Sequence, residues 1–288
     1  MLTSFIVLFV MYMAQAMDGE FRSLEDSLKR LALDIIEHEH DFERLSVNYD
    51  FKTLLEKTLE KEGSFNYPFD SLVTVSLLKA PDGSFRIFSW YVPLSNNRFE
   101  YFGFVQSLDV RKETYNLFAL FDKADKLEEP QFENLDHETW YGAYYLDLIH
   151  KRHNRNDYYV LLGWRADNPL TRKRIIEPIM LMGGGRPSFG QPVFRYENNR
   201  YRRIIFEYSA RVSMTMRYES HPPEPGRRAV DMIIFDRMAP SQPYLKGRYQ
   251  FYVPETNIFD GFIFDEGKWI FTPDIDARNP RRRPPPRP

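Results

Sequence analysis

Between residues 203 and 219 the chain reads RIIFEYSARVSMTMRYE, and its apolar and polar residues alternate almost without a break. The even positions Ile204, Phe206, Tyr208, Ala210, Val212, Met214, Met216 and Tyr218 are apolar or aromatic, and among the odd positions only Ile205 interrupts a polar set. Period two marks a β-strand with one face in a core and the other in water. On a helix the same residues would scatter around the circumference. At about 3.3 Å per residue the run exceeds an ordinary strand. It therefore forms one long bent strand or two strands that meet near Ser209 and Ala210. A chain carrying such a segment is built on antiparallel sheet.

Short apolar runs divided by turn residues extend the same reading over most of the chain. Residues 72–78 and 85–92 flank Pro81-Asp82-Gly83-Ser84, and residues 99–105 follow Ser95-Asn96-Asn97. Further runs lie at 115–121, 140–149, 158–164, 174–182, 189–194 and 230–235, and Asp265-Glu266-Gly267 joins a last hairpin. The expected fold class is mainly β, an antiparallel meander of sandwich or barrel-like form. No fixed repeat is visible, which argues against a propeller. The 24 Phe and 18 Tyr suit pleated faces, and Gly183-Gly184-Gly185, with an apolar run before it and Pro187 after it, reads as a hairpin turn rather than a phosphate loop.

The first part of the chain has another period. Leu24, Leu28, Leu31, Ile35, His38, Phe42 and Leu45 form one stripe of an amphipathic helix, with Ser23 as N-cap and Asp26 at N3. Asn48-Tyr49-Asp50 reads as a turn before a second helix carrying Phe51, Leu54, Leu55 and Leu59, which Gly63 ends. Ahead of them, residues 2–13 are uncharged and almost wholly apolar. Twelve helical residues rise about 18 Å, short of a hydrocarbon core of roughly 30 Å. Ala14-Gln15-Ala16 has the small-x-small form of a signal-peptidase site. The expected division is a signal peptide at 1–16, an α-helical hairpin at 17–63, an antiparallel β domain at 64–276 and an Arg/Pro-rich tail at 277–288. The mature chain then has no transmembrane span and is periplasmic or secreted.

Cysteine is absent, which removes disulfides, thiol catalysis and cysteine-ligated metals. The formal charge of −2 gives no argument for nucleic acid. The tail ARNPRRRPPPRP holds five arginines and no acid, so the body without it stands near −7. Arg281, Arg282 and Arg283 are the expected partner contacts, toward an anionic surface or a groove that takes proline-rich segments.

Candidate chemistry is sparse. Glu37 and His40 have the E-x-x-H spacing of helical di-metal sites, although no second such motif accompanies them. His150 and His153 read as part of a basic loop, where a metal-ligand role is the lesser reading. No nucleophile elbow is present. A carbohydrate site needs ring platforms and carboxylates, for which Trp140, Trp164, Glu207 and Asp236 are the candidates. Trp90 and Trp269 are further rings of this kind. No catalytic residue and no cofactor is expected.

The motifs Tyr158-Tyr159, Gly163-Trp164, Lys173-Arg174-Ile175-Ile176, Pro187-x-Phe189-Gly190, Met216-Arg217-Tyr218, Gly267-Lys268-Trp269 and Asp274-x-Asp276-Ala277-Arg278-Asn279 carry a resemblance. With them the chain resembles a family of secreted proteins of Bacteroidetes-type bacteria to which no activity is assigned. The likeness spans nearly the whole chain after residue 16, and the basic tail departs from it. It implies an envelope setting and carries over no catalytic residue. The first expectation is a non-catalytic envelope protein that binds another envelope protein, in its narrowest form an accessory of the type-nine secretion machinery. The alternative is a carbohydrate-binding module or glycoside hydrolase.

Overall fold

A computed structural model describes residues 2–196, 198–223 and 227–276, with side chains from residue 19 onward. The tail residues Arg281, Arg282 and Arg283 lie outside the described residues. Helix α1 spans Leu2–Glu37 and α2 spans Asp41–Leu59. The first helix is continuous through Ser23, so that residue is not an N-cap. The chain turns at residues 38–40, not at Asn48-Tyr49-Asp50. Asn48 stays helical because tertiary contact overrides its turn preference: it is buried, and its Oδ1 accepts the Trp90 indole N–H at 2.7 Å. Among the described residues no helix is long and apolar enough to cross a membrane.

Strands β1 (Ser76–Lys79), β2 (Phe85–Leu94), β3 (Arg98–Asp109) and β4 (Thr114–Phe121) form a first sheet in chain order. A second sheet holds β5 (Leu135–Asp136), β6 (Tyr144–His153), β7 (Asn156–Arg165), β8 (Thr171–Leu181) and β9 (Pro187–Phe189), in the order β5-β9-β8-β7-β6. β10 (Phe194–Tyr196) and β11 (Asn199–Tyr201) open a third sheet, and β12 (Ile204–Ser209) returns to the second, pairing with β8. β13 (Met216–His221), β14 (Val230–Pro240), β15 (Tyr252–Asp265) and β16 (Lys268–Ile275) complete the third in the order β11-β10-β16-β15-β14-β13. The described pairings are antiparallel except β10 with β16, which is parallel. The alternating run 203–219 is thus two strands, and they lie in different sheets.

The elements stack as helices, first sheet, second sheet and third sheet, with a core between each pair of layers. Leu28, Ile35, Phe51 and Leu55 of the helices meet Phe88, Trp90, Val92 and Phe104 of the first sheet. Its other face sends Phe85, Ile87, Tyr101 and Val105 against Trp140, Tyr145, Leu161 and Ile175. Beyond the second sheet, Val160, Leu162, Ile176 and Ile204 meet Phe194, Ile233, Phe235, Phe262 and Trp269. Adjacent residues of β7 therefore enter different cores, as a pleat buried on both faces requires.

One reading of the alternation fails at its first residue. Arg203 occupies a position that the pattern turns to water, yet it is buried with its Nε donating to Glu177 Oε1 at 2.7 Å, both side chains 0% exposed. Its Nη1 donates to the carbonyls of Pro130 and Glu133. Tyr145 Oη donates to the second oxygen of Glu177, and Trp140 Nε1 donates to Tyr145 Oη at 2.8 Å. Burying two charges requires this close pairing and saturation of the remaining acceptors.

Candidate functional site

β12 pairs with β8 along one edge, Glu207 standing opposite Lys173. Its other edge pairs with no described strand, and a turn at Tyr249–Phe251 packs against β12. Between these elements opens a cleft of about 450 Å³. Tyrosines form its walls. Tyr196 and Tyr201 come from the β10–β11 hairpin, with ring centroids 5.8 Å apart, and Tyr249 and Tyr252 stand 5.0 Å apart at the start of β15. Ile205 and Phe206 line the cleft from β12, and Phe206 packs on Phe235 of the third sheet at 4.6 Å. The cleft is therefore the open end of the core between the second and third sheets.

Its polar groups are Glu207, Lys173, Gln131 and the buried Tyr141. Thr171 Oγ1 donates to Glu207 Oε1 at 2.6 Å, and the other carboxylate oxygen takes no hydrogen bond among the described residues. Lys173 Nζ donates to Asp167 Oδ2 at 2.6 Å. Burial opposes the Lys173 charge, but Tyr141, Asp167 and Glu207 outweigh it and hold the ammonium above its ordinary value. Burial raises the Tyr141 phenol, so it stays protonated and can donate a hydrogen bond.

An arginine sustains this floor from behind. Arg165 is buried between the rings of Tyr101 and Tyr141, its guanidinium carbon 4.9 and 5.0 Å from their centroids. Its Nε donates to Asp167 Oδ1 at 2.6 Å, and its Nη1 reaches Asp122 Oδ1 at 3.2 Å and the Gly142 carbonyl at 2.6 Å. Gly142 has φ +58°, and a Cβ there would lie 2.2 Å from the Asp122 carboxyl carbon. Glycine is required for that approach. Positive and negative groups alternate along Glu207, Lys173, Asp167, Arg165 and Asp122, so the cleft floor carries no large excess of either sign.

The structure separates the residues that the sequence singled out. Glu207 lies in the cleft. Trp140 is buried against Tyr145. Trp164 sits half-buried in an edge-to-face cluster with Tyr91, Phe99 and Tyr101. Trp90 and Trp269 are core residues. Asp236 is on β14, where its Oδ2 accepts the Thr215 amide at 2.6 Å and holds the loop before β13. Glu37 ends α1 and His40 precedes α2, so the turn removes the shared helical face that their spacing required. The four wall tyrosines carry no motif. Their sequence signal is aromatic residues beside turn residues, as in Tyr196 through Tyr201 and Tyr249 through Tyr252, where a ring stands at the end of a core rather than inside it.

As chemistry, the cleft offers flat apolar faces beside one carboxylate, one ammonium, an amide and a phenol. Among the described lining residues Glu207 is the one carboxylate. Such a set matches a ligand with alternating donors and acceptors. Comparison with family models, with curated proteins and with solved structures finds no match.

Proposed function

We propose that this chain is a non-catalytic saccharide-binding protein of the cell envelope, with the tyrosine-walled cleft as its binding site. The observation that carries the reading is the pairing of tyrosine faces with Glu207, Lys173 and Gln131 in one cleft. A pyranose ring presents apolar C–H faces and a rim of hydroxyls that both donate and accept. Aromatic faces match the first, and a carboxylate beside an ammonium and an amide matches the second. An extended peptide would need a long clear edge on β12, a strand of six residues against which the Tyr249–Phe251 turn already packs. A ring-sized ligand suits the remaining space. The envelope placement rests on the apolar segment at residues 2–13 and the Ala14-Gln15-Ala16 site.

The test is a glycan array followed by calorimetric titration with the best oligosaccharide. Tyr201→Ala, Tyr249→Ala and Glu207→Gln should each weaken binding about tenfold, or about 1.4 kcal/mol, and leave folding intact. Absence of saccharide binding, or affinity unchanged from the parent chain in all three variants, overturns the reading. Release of reducing sugar during the titration would convert it to a hydrolase.

A second reading, capture of a protein partner, has its own observation. Phe42 and Tyr49 lie seven residues apart on α2 and are 82% and 70% exposed, on the face away from buried Phe51 and Leu55. Recovery of a stoichiometric envelope protein that Phe42→Ser/Tyr49→Ser no longer binds would favour it.

A further inference from the structure

The residues of the β6–β7 hairpin do not form the loop that their basic sequence suggests. His150 and His153 are both in β6, and His150 stands opposite Tyr159 of β7. Its ring stacks on the Tyr159 ring at 4.8 Å with 17° between planes. Its Nε2 lies 2.8 Å from Oδ1 of Asp157, at the start of β7. From the first sheet, the β1–β2 turn brings Asp82 to the same place. Ligand atoms of Asp82, His150 and Asp157 all fall within 4.8 Å of one another.

From this geometry we infer a binding site for a divalent first-row transition cation, with His150 Nε2 and one carboxylate oxygen each from Asp82 and Asp157 as its protein ligands. One imidazole and two carboxylates bring two negative charges, and the imidazole favours Zn²⁺ or a neighbouring ion over Mg²⁺ and Ca²⁺. Ligands about 2.0–2.1 Å from Zn²⁺ stand about 3–3.5 Å apart in a tetrahedron. The observed spacing therefore asks only for small side-chain movements, with His150 exchanging its contact to Asp157 for the metal.

The ligands are already held in place from outside. Tyr159 Oη donates to Asp82 Oδ2, while the Ser84 amide and hydroxyl donate to Oδ1 at 3.1 and 2.8 Å. Oδ1 accepts both Ser84 bonds and anchors the carboxylate, while Oδ2, with one bond from Tyr159, keeps a further lone pair for a cation; such partners orient a ligating carboxylate. The stack on Tyr159 fixes the imidazole plane. Asp82 and Asp157 are exposed, which leaves room for water or an exogenous ligand to complete the coordination. Arg152 Nε, 3.9 Å from Asp157 Oδ1, is the nearest opposing charge. The site lies between the first and second sheets and does not depend on the saccharide reading.

The experiment titrates the full chain with Zn²⁺ against a chromophoric chelator, with Mg²⁺ in parallel and circular dichroism as the check on folding. We expect one Zn²⁺ per chain and no competition from Mg²⁺. Affinity should fall at least about tenfold in His150→Ala and in Asp82→Asn, stay unchanged in His153→Ala, and rise in Arg152→Gln. Substitution with Co²⁺ should give visible d–d bands that His150→Ala abolishes, a readout independent of stability. Failure to bind Zn²⁺ overturns the proposal. So does binding that is indifferent to Asp82→Asn or lost equally in His153→Ala, because either would mark adventitious capture by surface histidines.

Discussion

Arg203 and Glu177 show how one residue can contradict the pattern around it. The alternation from residue 203 onward assigns arginine to solvent, yet Arg203 enters the layer between sheets because Glu177 is already there. Glu177 carried the better clue, a lone acid inside the apolar run Ile175-Ile176-Glu177-Pro178-Ile179. A charge in a strand buried on both faces demands an opposite charge, which sequence alone does not locate. Arg203→Met should cost about 3–5 kcal/mol, since it strands a buried carboxylate. The double variant Arg203→Met/Glu177→Leu should cost less than the single one, and urea denaturation of both proteins measures the difference. Asp167 gives a pH test at the same scale. Burial alone would raise its carboxyl, but Arg165 and Lys173 hold it below its ordinary value of 3.8. The stabilisation is therefore whole above that value and is lost as pH falls through the lower, folded value. Asp167→Asn should flatten the loss of stability below about pH 4 in a series of melting curves.

At the scale of elements, most long strands were legible, but their positions in the sheets were not, nor were the short strands β5, β10 and β11 or the first half of β15; the run 189–194 divides between β9 and β10. β2 and β7 carry long apolar runs because both faces are buried, so no single polar face betrays the layer that they join. The clean alternation at 203–219 belongs to β12, at an edge, and β13, at the far side of another sheet. The helix boundary at residues 38–40 escaped for a different reason. Local turn preference favoured Asn48, but the indole of Trp90 on β2 supplies a hydrogen bond that Asn48 accepts from its place in the helix. Asn48→Ala should leave that N–H buried and unpaired and cost about 1–3 kcal/mol, read as a lowered melting temperature with altered Trp90 fluorescence. Of the cleft, Glu207 was visible as a carboxylate beside aromatics. Its tyrosine walls were not, because they meet only when the β10–β11 hairpin and the segment before β15 converge across two sheets.

For the whole molecule, the stacking of four layers makes the helical hairpin part of the folded body. Phe88, Trp90, Val92 and Phe104 of the first sheet have the hairpin as their cover, and the described packing of α1 against them begins at Phe21. Polar ties reinforce the layer: Glu25 accepts the Tyr67 hydroxyl and the Ser71 amide, and Arg44 donates to the Pro93 carbonyl. These contacts all lie after Ala16. A chain beginning at residue 17, the product of the proposed processing, keeps every one of these contacts and should fold and melt cooperatively. Its N-terminus, read by mass spectrometry of envelope extracts, should be Met17. A chain beginning at residue 64 exposes the four large side chains of the first sheet as one apolar face, and such faces drive association. It should be insoluble or bind a hydrophobic dye strongly. A soluble chain from residue 64 with unchanged melting would mean that the first sheet is stable without its helical layer, and the body would then consist of three sheets with the hairpin as an appendage.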